Sequence, residues 1–129
     1  MRSLLALLLL FSCILFISVQ ASAQTVKDIT VAEAHNLINK GNITILDVRT
    51  EAEWKQGHLK GAVRIDVMDK QFKDKVAKLD KSKPVVVYCA VGGRSSYASD
   101  DMVKLGFSKV YNMEGGIKAW SKANYPVQK

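Results

Sequence analysis

Cysteine is nearly absent from this 129-residue chain: Cys13 and Cys89 are the only two. Cys13 lies in residues 1–23, a block whose one charge is Arg2 and which is apolar from Leu4 to Val19 apart from Ser12, Cys13 and Ser18. A basic start, an apolar stretch and Ala21-Ser22-Ala23 form the pattern of a secretory signal peptide with an A-x-A cleavage site. Cleavage after Ala23 is therefore expected, leaving one domain of residues 24–129 exported to what would be a bacterial periplasm. The apolar block is short for a membrane span, which takes about 20 residues. Retention as an anchor, or a lipoprotein signal ending at Cys13, are the lesser alternatives. Removal of Cys13 leaves Cys89 alone, which excludes an internal disulfide framework and makes a lone thiol in an oxidising compartment a candidate reactive group.

Repeats, long linkers and low-complexity tracts are also missing, and the length fits a single domain. The formal net charge is +7, yet lysines alternate with acids, as in "KQFKDKVAKLDKSK". That is the composition of a solvated surface. No basic stripe interleaved with aromatics points to nucleic acid, although a positive field still attracts small anions.

What is present is an alternation of short β-rich and helical runs. A strand at Val26 leads into a helix that Thr30 and Glu33 open as a capping box and Gly41 closes. "NITILDV" reads as a buried strand, "EAEWKQG" as a short helical turn and "GAVRIDV" as a strand. "MDKQFKDKVAKLD" places Phe72, Val76 and Leu79 on one helical face. "KPVVVYC" is a second buried strand, entered through Pro84. The helix "RSSYASDDMVKLGF" starts near Arg94 or Ser95 and ends at Gly106. "SKVYNME" is a strand, and "GGIKAWSKANYP" a last helix halted near Pro126. This order implies a three-layer α/β/α sandwich around a mainly parallel sheet of about five strands. Ligands of such sheets bind beyond the carboxyl ends of the strands, where Asp47, Arg49 and Cys89 fall.

Cysteine is often a buried packing residue, and "VVVYC" alone would be read that way. The residues after it change the reading. Gly92 and Gly93 permit backbone conformations in which successive amides turn inward as an anion nest. The following helix directs its positive end at the same loop. A thiol so placed has a lowered pKa, and Arg94 adds a charge suited to an oxyanion. Cys89 to Arg94 spans C-x4-R. Cysteine phosphatases use a ring one residue longer, and the shorter ring suits a single added sulfur better than tetrahedral phosphate.

Four segments in this order resemble the rhodanese-like sulfurtransferases: "LDVRTEAEWKQGHLKGAVRI", "VVVYCAVGGRSSYAS", "VYNMEGGIKAW" and the closing "YPV". The resemblance covers nearly all of residues 24–129 and looks like the single-domain form. It implies that Cys89 takes the outer sulfur of thiosulfate or a related donor, releases sulfite, and passes the sulfur from a cysteine persulfide to cyanide or a thiol. Amides from Ala90, Val91, Gly92, Gly93, Arg94 and Ser95 would cradle the persulfide, and Arg94 would bind the donor. No metal or organic cofactor is implied. Ala90 and Val91 are apolar where relatives often carry polar residues, which leaves persulfide or polysulfide donors, or a sulfur-accepting protein, open. A persulfide carrier serving a partner protein, with little free turnover, is the alternative reading; an aryl-phosphatase or arsenate-reductase-like use of the thiolate is disfavoured by the loop length.

Around this loop, Asp47 is expected to order the rim, and Arg49 either adds positive potential or pairs with Asp47. His58 is expected in a structural hydrogen bond, His35 at the surface or boundary, and Trp54 and Trp120 in the core. Ser95 is expected to cap the helix, and Glu114, Gly115 and Gly116 to shape the turn into the last helix. Amino-terminal sequencing of the exported product should begin at Gln24; a product beginning at Met1 would contradict cleavage.

Overall fold

The computed structural model describes Ser18 and residues 24–129. The signal-peptide reading of residues 1–23 therefore lies almost wholly outside the described residues. Among those described, no helix is long and apolar enough to cross a membrane.

Five parallel strands form one sheet in the order β1-β5-β4-β2-β3. They are β1 (Val26–Ile29), β2 (Thr44–Asp47), β3 (Val63–Arg64), β4 (Val85–Tyr88) and β5 (Val110–Met113). Strand β4 is buried throughout, as a central parallel strand covered on both faces must be. Its side chains alternate by the pleat. Val85, Val87 and Cys89 join Leu46, Phe72, Val76, Ala98 and Met102 on one face. Val86 and Tyr88 join Ile29, Ala34, Met113 and Trp120 on the other. The first face is covered by α3 (Phe72–Val76) and α4 (Gly93–Lys104), the second by α1 (Val31–Lys40) and α5 (Gly116–Lys122). The expected three-layer sandwich is the observed one, with the short α2 (Glu51–Gln56) at the rim.

Several boundaries differ from expectation for local reasons. The Thr30–Glu33 capping box forms as expected, with Thr30 Oγ1 3.2 Å from the Glu33 amide and Glu33 Oε2 2.8 Å from the Thr30 amide. An unanticipated second box opens α2, where Thr50 Oγ1 accepts from the Glu53 amide and Glu53 Oε2 accepts from the Thr50 amide. Helix α3 is much shorter than residues 68–80, because Asp66 and Asp69 take the amides of Met68 and Gln71 into side-chain turns that compete with a helix. Strand β3 is only two residues long, yet the amides of Ile65 and Val67 still bond to Asp47 and Val48 carbonyls. Helix α4 begins at Gly93, its cap being Gly92 in the left-handed region with φ 109°. Helix α5 stops at Lys122, short of Pro126, and Asn124 adopts φ 61°.

The chain leaves β2 toward β3 at one edge and leaves β4 toward β5 on the other side. The loops after β2 and β4 thus diverge, which opens a crevice at their carboxyl ends. The β2 side of this crevice is braced by a buried ion pair. Arg49 donates Nε and Nη2 to the Asp47 carboxylate at 2.6–3.0 Å and Nη2 to the Gly57 carbonyl at 2.8 Å. Asp47 also accepts the Arg49 amide. Asp47 is fully buried and Arg49 only 4% exposed. Burial disfavours the Arg49 cation, but the Asp47 hydrogen bond and charge outweigh that and raise its pKa.

Removing one member of such a pair strands the other charge and costs about 3–5 kcal/mol, whereas replacing both with apolar groups costs far less. Asp47→Ala is accordingly expected to lower the urea midpoint steeply, and Asp47→Ala/Arg49→Met to recover much of the loss.

Candidate active site around Cys89

Cys89 follows β4 directly, where the strand alternation turns its side chain toward α4. It is 1% exposed and is a free thiol among the described residues. The Gly92 amide donates to Sγ at 3.1 Å. The Ser95 hydroxyl lies 3.4 Å from Sγ and 3.1 Å from the Gly92 carbonyl. That hydroxyl has one proton and two acceptors within reach. With the thiol protonated, Sγ–H donates to Ser95 Oγ; with the thiolate, the hydroxyl turns to donate to sulfur.

Burial alone pushes the Cys89 thiol up. The Ser95 hydroxyl and the amides of Ser95, Gly92 and Val91 outweigh it, and the net pKa lies below that of an ordinary cysteine. These contacts favour the anion more than the surroundings of an ordinary cysteine do, despite near-complete burial, which is the direction a cysteine nucleophile requires.

The loop is held from behind by α5. The Ile117 amide donates to the Cys89 carbonyl at 2.9 Å and the Lys118 amide to the Ala90 carbonyl at 3.1 Å. A Cβ on Gly116 would lie 2.4 Å from the Cys89 carbonyl oxygen and 2.5 Å from the Ala90 carbonyl carbon and oxygen. Only glycine permits this approach, and its φ is +57°. Gly116 thus shapes the Cys89 loop itself as well as the turn into α5, a larger role than the sequence implied, whereas a Cβ on Gly115 would meet Ala119 within α5.

The remaining expected residues fall in different places. Ala90 is half-buried and Val91 exposed on the loop, so neither offers a hydrogen-bonding side chain. Ser95 is not the helix cap: it sits three residues inside α4, fully buried, facing sulfur. Arg49 is locked against Asp47 and takes the pairing alternative. Arg94 is at the mouth of the loop but is not free: Nη1 and Nη2 donate to Glu53 at 2.9 and 2.7 Å. That contact holds the Glu53 carboxyl down to about 2, opposed by partial burial and aided by Thr50, and raises Arg94. His58 stacks on Trp54 with centroids 3.6 Å apart and its Nδ1 is 3.1 Å from the Trp54 carbonyl, while Trp54 itself is half-buried. His35 stacks on Tyr125 at the boundary. Trp120 is buried. Among the described residues no group of three or more His, Cys, Asp or Glu side chains is gathered to hold a metal ion.

Glu53 is the site residue that sequence reasoning missed. Its signal was present twice, in T-x-x-E at residues 50–53 and in the "EAEW" segment.

The Rhodanese-like domain family matches residues 30–123. The chain belongs to this family. It is 36% identical over 101 residues to thiosulfate sulfurtransferase GlpE of Coxiella burnetii, covering 78% of this chain and 92% of that one. It is 34% identical over 103 residues to the tRNA uridine(34) hydroxylase of Chlamydia abortus, but spans only 32% of that longer protein. A crystal structure of a rhodanese-related protein from Thermoplasma volcanium superposes with TM-score 0.71 at 31% identity, over 79% of this chain and 97% of that one. Rhodanese-like relatives thus include both sulfurtransferases and a module within a larger enzyme, and the sulfurtransferase relatives support a sulfurtransferase function here.

Alkylation of this rhodanese-like domain by iodoacetamide, followed against pH, should show thiolate reactivity at lower pH than a free cysteine displays. Ser95→Ala removes a donor to the anion and should move the midpoint upward; an unchanged midpoint would leave the hydroxyl no part in it.

Proposed function

We propose that this domain is an exported sulfurtransferase that moves sulfane sulfur from a small anionic donor, such as thiosulfate, to cyanide or a thiol through a persulfide on Cys89. The observation that carries the proposal is the Cys89 sulfur itself, with the Gly92 amide at 3.1 Å and the Ser95 hydroxyl at 3.4 Å. Export is supported by the composition of residues 1–23, and sulfur transfer by the relatives named as thiosulfate sulfurtransferases.

The Cys89 thiolate attacks the outer sulfur of the donor. A new S–S bond forms, the bond between the outer and sulfonyl sulfurs breaks, and sulfite leaves with the electron pair. The enzyme now carries its negative charge on the terminal persulfide sulfur. The amides and hydroxyl that stabilise the thiolate are positioned to stabilise that anion. Cyanide then attacks the terminal sulfur and departs as thiocyanate, which restores the thiolate. Two half-reactions through a covalent intermediate give ping-pong kinetics. Every proton and electron is accounted for by the donor, the acceptor and Cys89.

The purified domain, given thiosulfate and cyanide, should produce sulfite and thiocyanate, and donor alone should add the mass of one sulfur to Cys89. Cys89→Ser should abolish both while leaving the unfolding transition in place; a serine variant that retained full turnover would end the proposal. Gly116→Ala should displace the Cys89 and Ala90 carbonyls and reduce turnover on the order of a hundredfold, the scale set by ångström-level misplacement of a reacting group.

A further inference from the structure

The sulfur-transfer scheme leaves one strong contact without a role, the fork-to-fork pair of Arg94 and Glu53. Both terminal nitrogens of Arg94 are engaged by the two oxygens of Glu53, and each side chain is 31% exposed. The pair is therefore partly exposed and not in the core, at the start of α4 directly after the Cys89 loop. Asp66 adds a second carboxylate within electrostatic reach of Arg94, as is Cys89. Of the other arginines at the strand ends, Arg49 is buried against Asp47 and Arg64 closes β3. The loop from Ala90 to Gly93 supplies no charged side chain. A donor entering here meets an arginine already matched by a carboxylate, with another carboxylate nearby.

We propose that Glu53 is a positioning residue that sets donor preference: by holding both terminal nitrogens of Arg94, it favours sulfane donors carrying one negative charge over dianionic thiosulfate. The proposal rests on the sulfur-transfer reading above and names the charge class of its donor. The attraction a guanidinium offers scales with the donor's charge, and so does the repulsion from a neighbouring carboxylate. Neutralising Arg94 therefore withdraws more from a dianion than from a monoanion. The bidentate geometry also fixes the guanidinium plane, so a dianion must either displace Glu53 or use the outer N–H groups alone. Glu53 meanwhile accepts from the Thr50 amide and hydroxyl, which anchors its carboxylate to the start of α2 and keeps it from swinging away.

Thiosulfate and methanethiosulfonate test this directly. Each presents an outer sulfur bonded to a sulfonyl sulfur. In each case the Cys89 thiolate takes the outer sulfur, that S–S bond breaks, and sulfite or methanesulfinate leaves with the electron pair. They carry two negative charges and one, respectively. With cyanide as acceptor, thiocyanate reads both reactions. Glu53→Gln keeps a side-chain acceptor for the Thr50 amide, since either residue completes a capping box. It should raise kcat/KM for thiosulfate roughly tenfold more than for methanethiosulfonate, chiefly through a lower KM. Glu53→Gln/Arg94→Ala should lose that selective gain. Glu53→Asp, too short to grip both nitrogens as Glu53 does, should shift the ratio in the same direction by less, and serves should the glutamine variant fail to fold. A donor ratio unchanged in the folded variants, or a gain that survives removal of Arg94, overturns the proposal. Wild-type protein giving no thiocyanate from either donor would instead overturn the sulfur-transfer reading beneath it.

Discussion

The site depends on which way two peptide planes face. The carbonyls of Cys89 and Ala90 are drawn backward to the amides of Ile117 and Lys118. No peptide bond in the described residues is cis, and in a trans peptide the N–H points opposite to the C=O. Fixing those two carbonyls on the α5 side therefore fixes the amides of Ala90 and Val91 toward the interior of the loop. Gly92, with φ 109°, then turns the chain so that its own amide reaches sulfur and α4 can begin. The anion cradle is thus a consequence of the contact between this loop and α5, not of the loop alone, and Gly116 is its tightest point. A side chain there would push apart the two surfaces that orient the donors.

The two arginine–carboxylate pairs near the crevice illustrate how burial decides what a charge does. Asp47–Arg49 is withdrawn from solvent and also satisfies the Gly57 carbonyl. It ties β2 to the turn before Leu59, whose amide in turn donates to the Tyr88 hydroxyl. Burial, then the neighbouring Asp47, pushes the Tyr88 phenol above its usual range, so that ring remains a neutral brace between β4 and the rim. Glu53–Arg94 is also bidentate, but through both terminal nitrogens, and it is partly exposed. Partly exposed pairs contribute little to stability, which agrees with the role in donor choice proposed for this one.

Much of this was legible in the sequence because it rests on local rules. The alternation in "VVVYC" set which face Cys89 joins, and T-x-x-E at Thr30 gave a helix start that the structure reproduces. The sandwich itself follows from short apolar runs separated by helical segments. What could not be read depended on contacts between distant segments. Nothing local distinguishes Ser95 as a helix cap from Ser95 as a sulfur ligand; the left-handed Gly92, which starts α4 earlier, decides it. Nothing in "GGRSS" reveals that Arg94 meets a carboxylate 41 positions away. The shortening of α3 is a different case: aspartates are local turn formers, yet the Phe72–Val76–Leu79 periodicity alone does not reveal that Asp66 and Asp69 take the amides that would begin the helix.

Near-complete burial of a reactive sulfur looks self-defeating, since it opposes ionisation and hides the nucleophile. The first of these costs is met by a few atoms. The inward amides and the Ser95 hydroxyl supply to the anion what solvent would have supplied, and as fixed donors they need little reorganisation to do so. Because the donors are held by α4 and α5 and not by flexible side chains, the preference of the loop for an anion is built in before any donor arrives. On the proposal above, donor choice falls to the partly exposed pair of Arg94 and Glu53, where side chains rather than backbone face the solvent. On that reading activation and selection fall to different parts of one crevice: the first to the loop amides and the buried Ser95 hydroxyl, held where Gly116 leaves no room for a side chain, the second to a partly exposed ion pair at the start of α4.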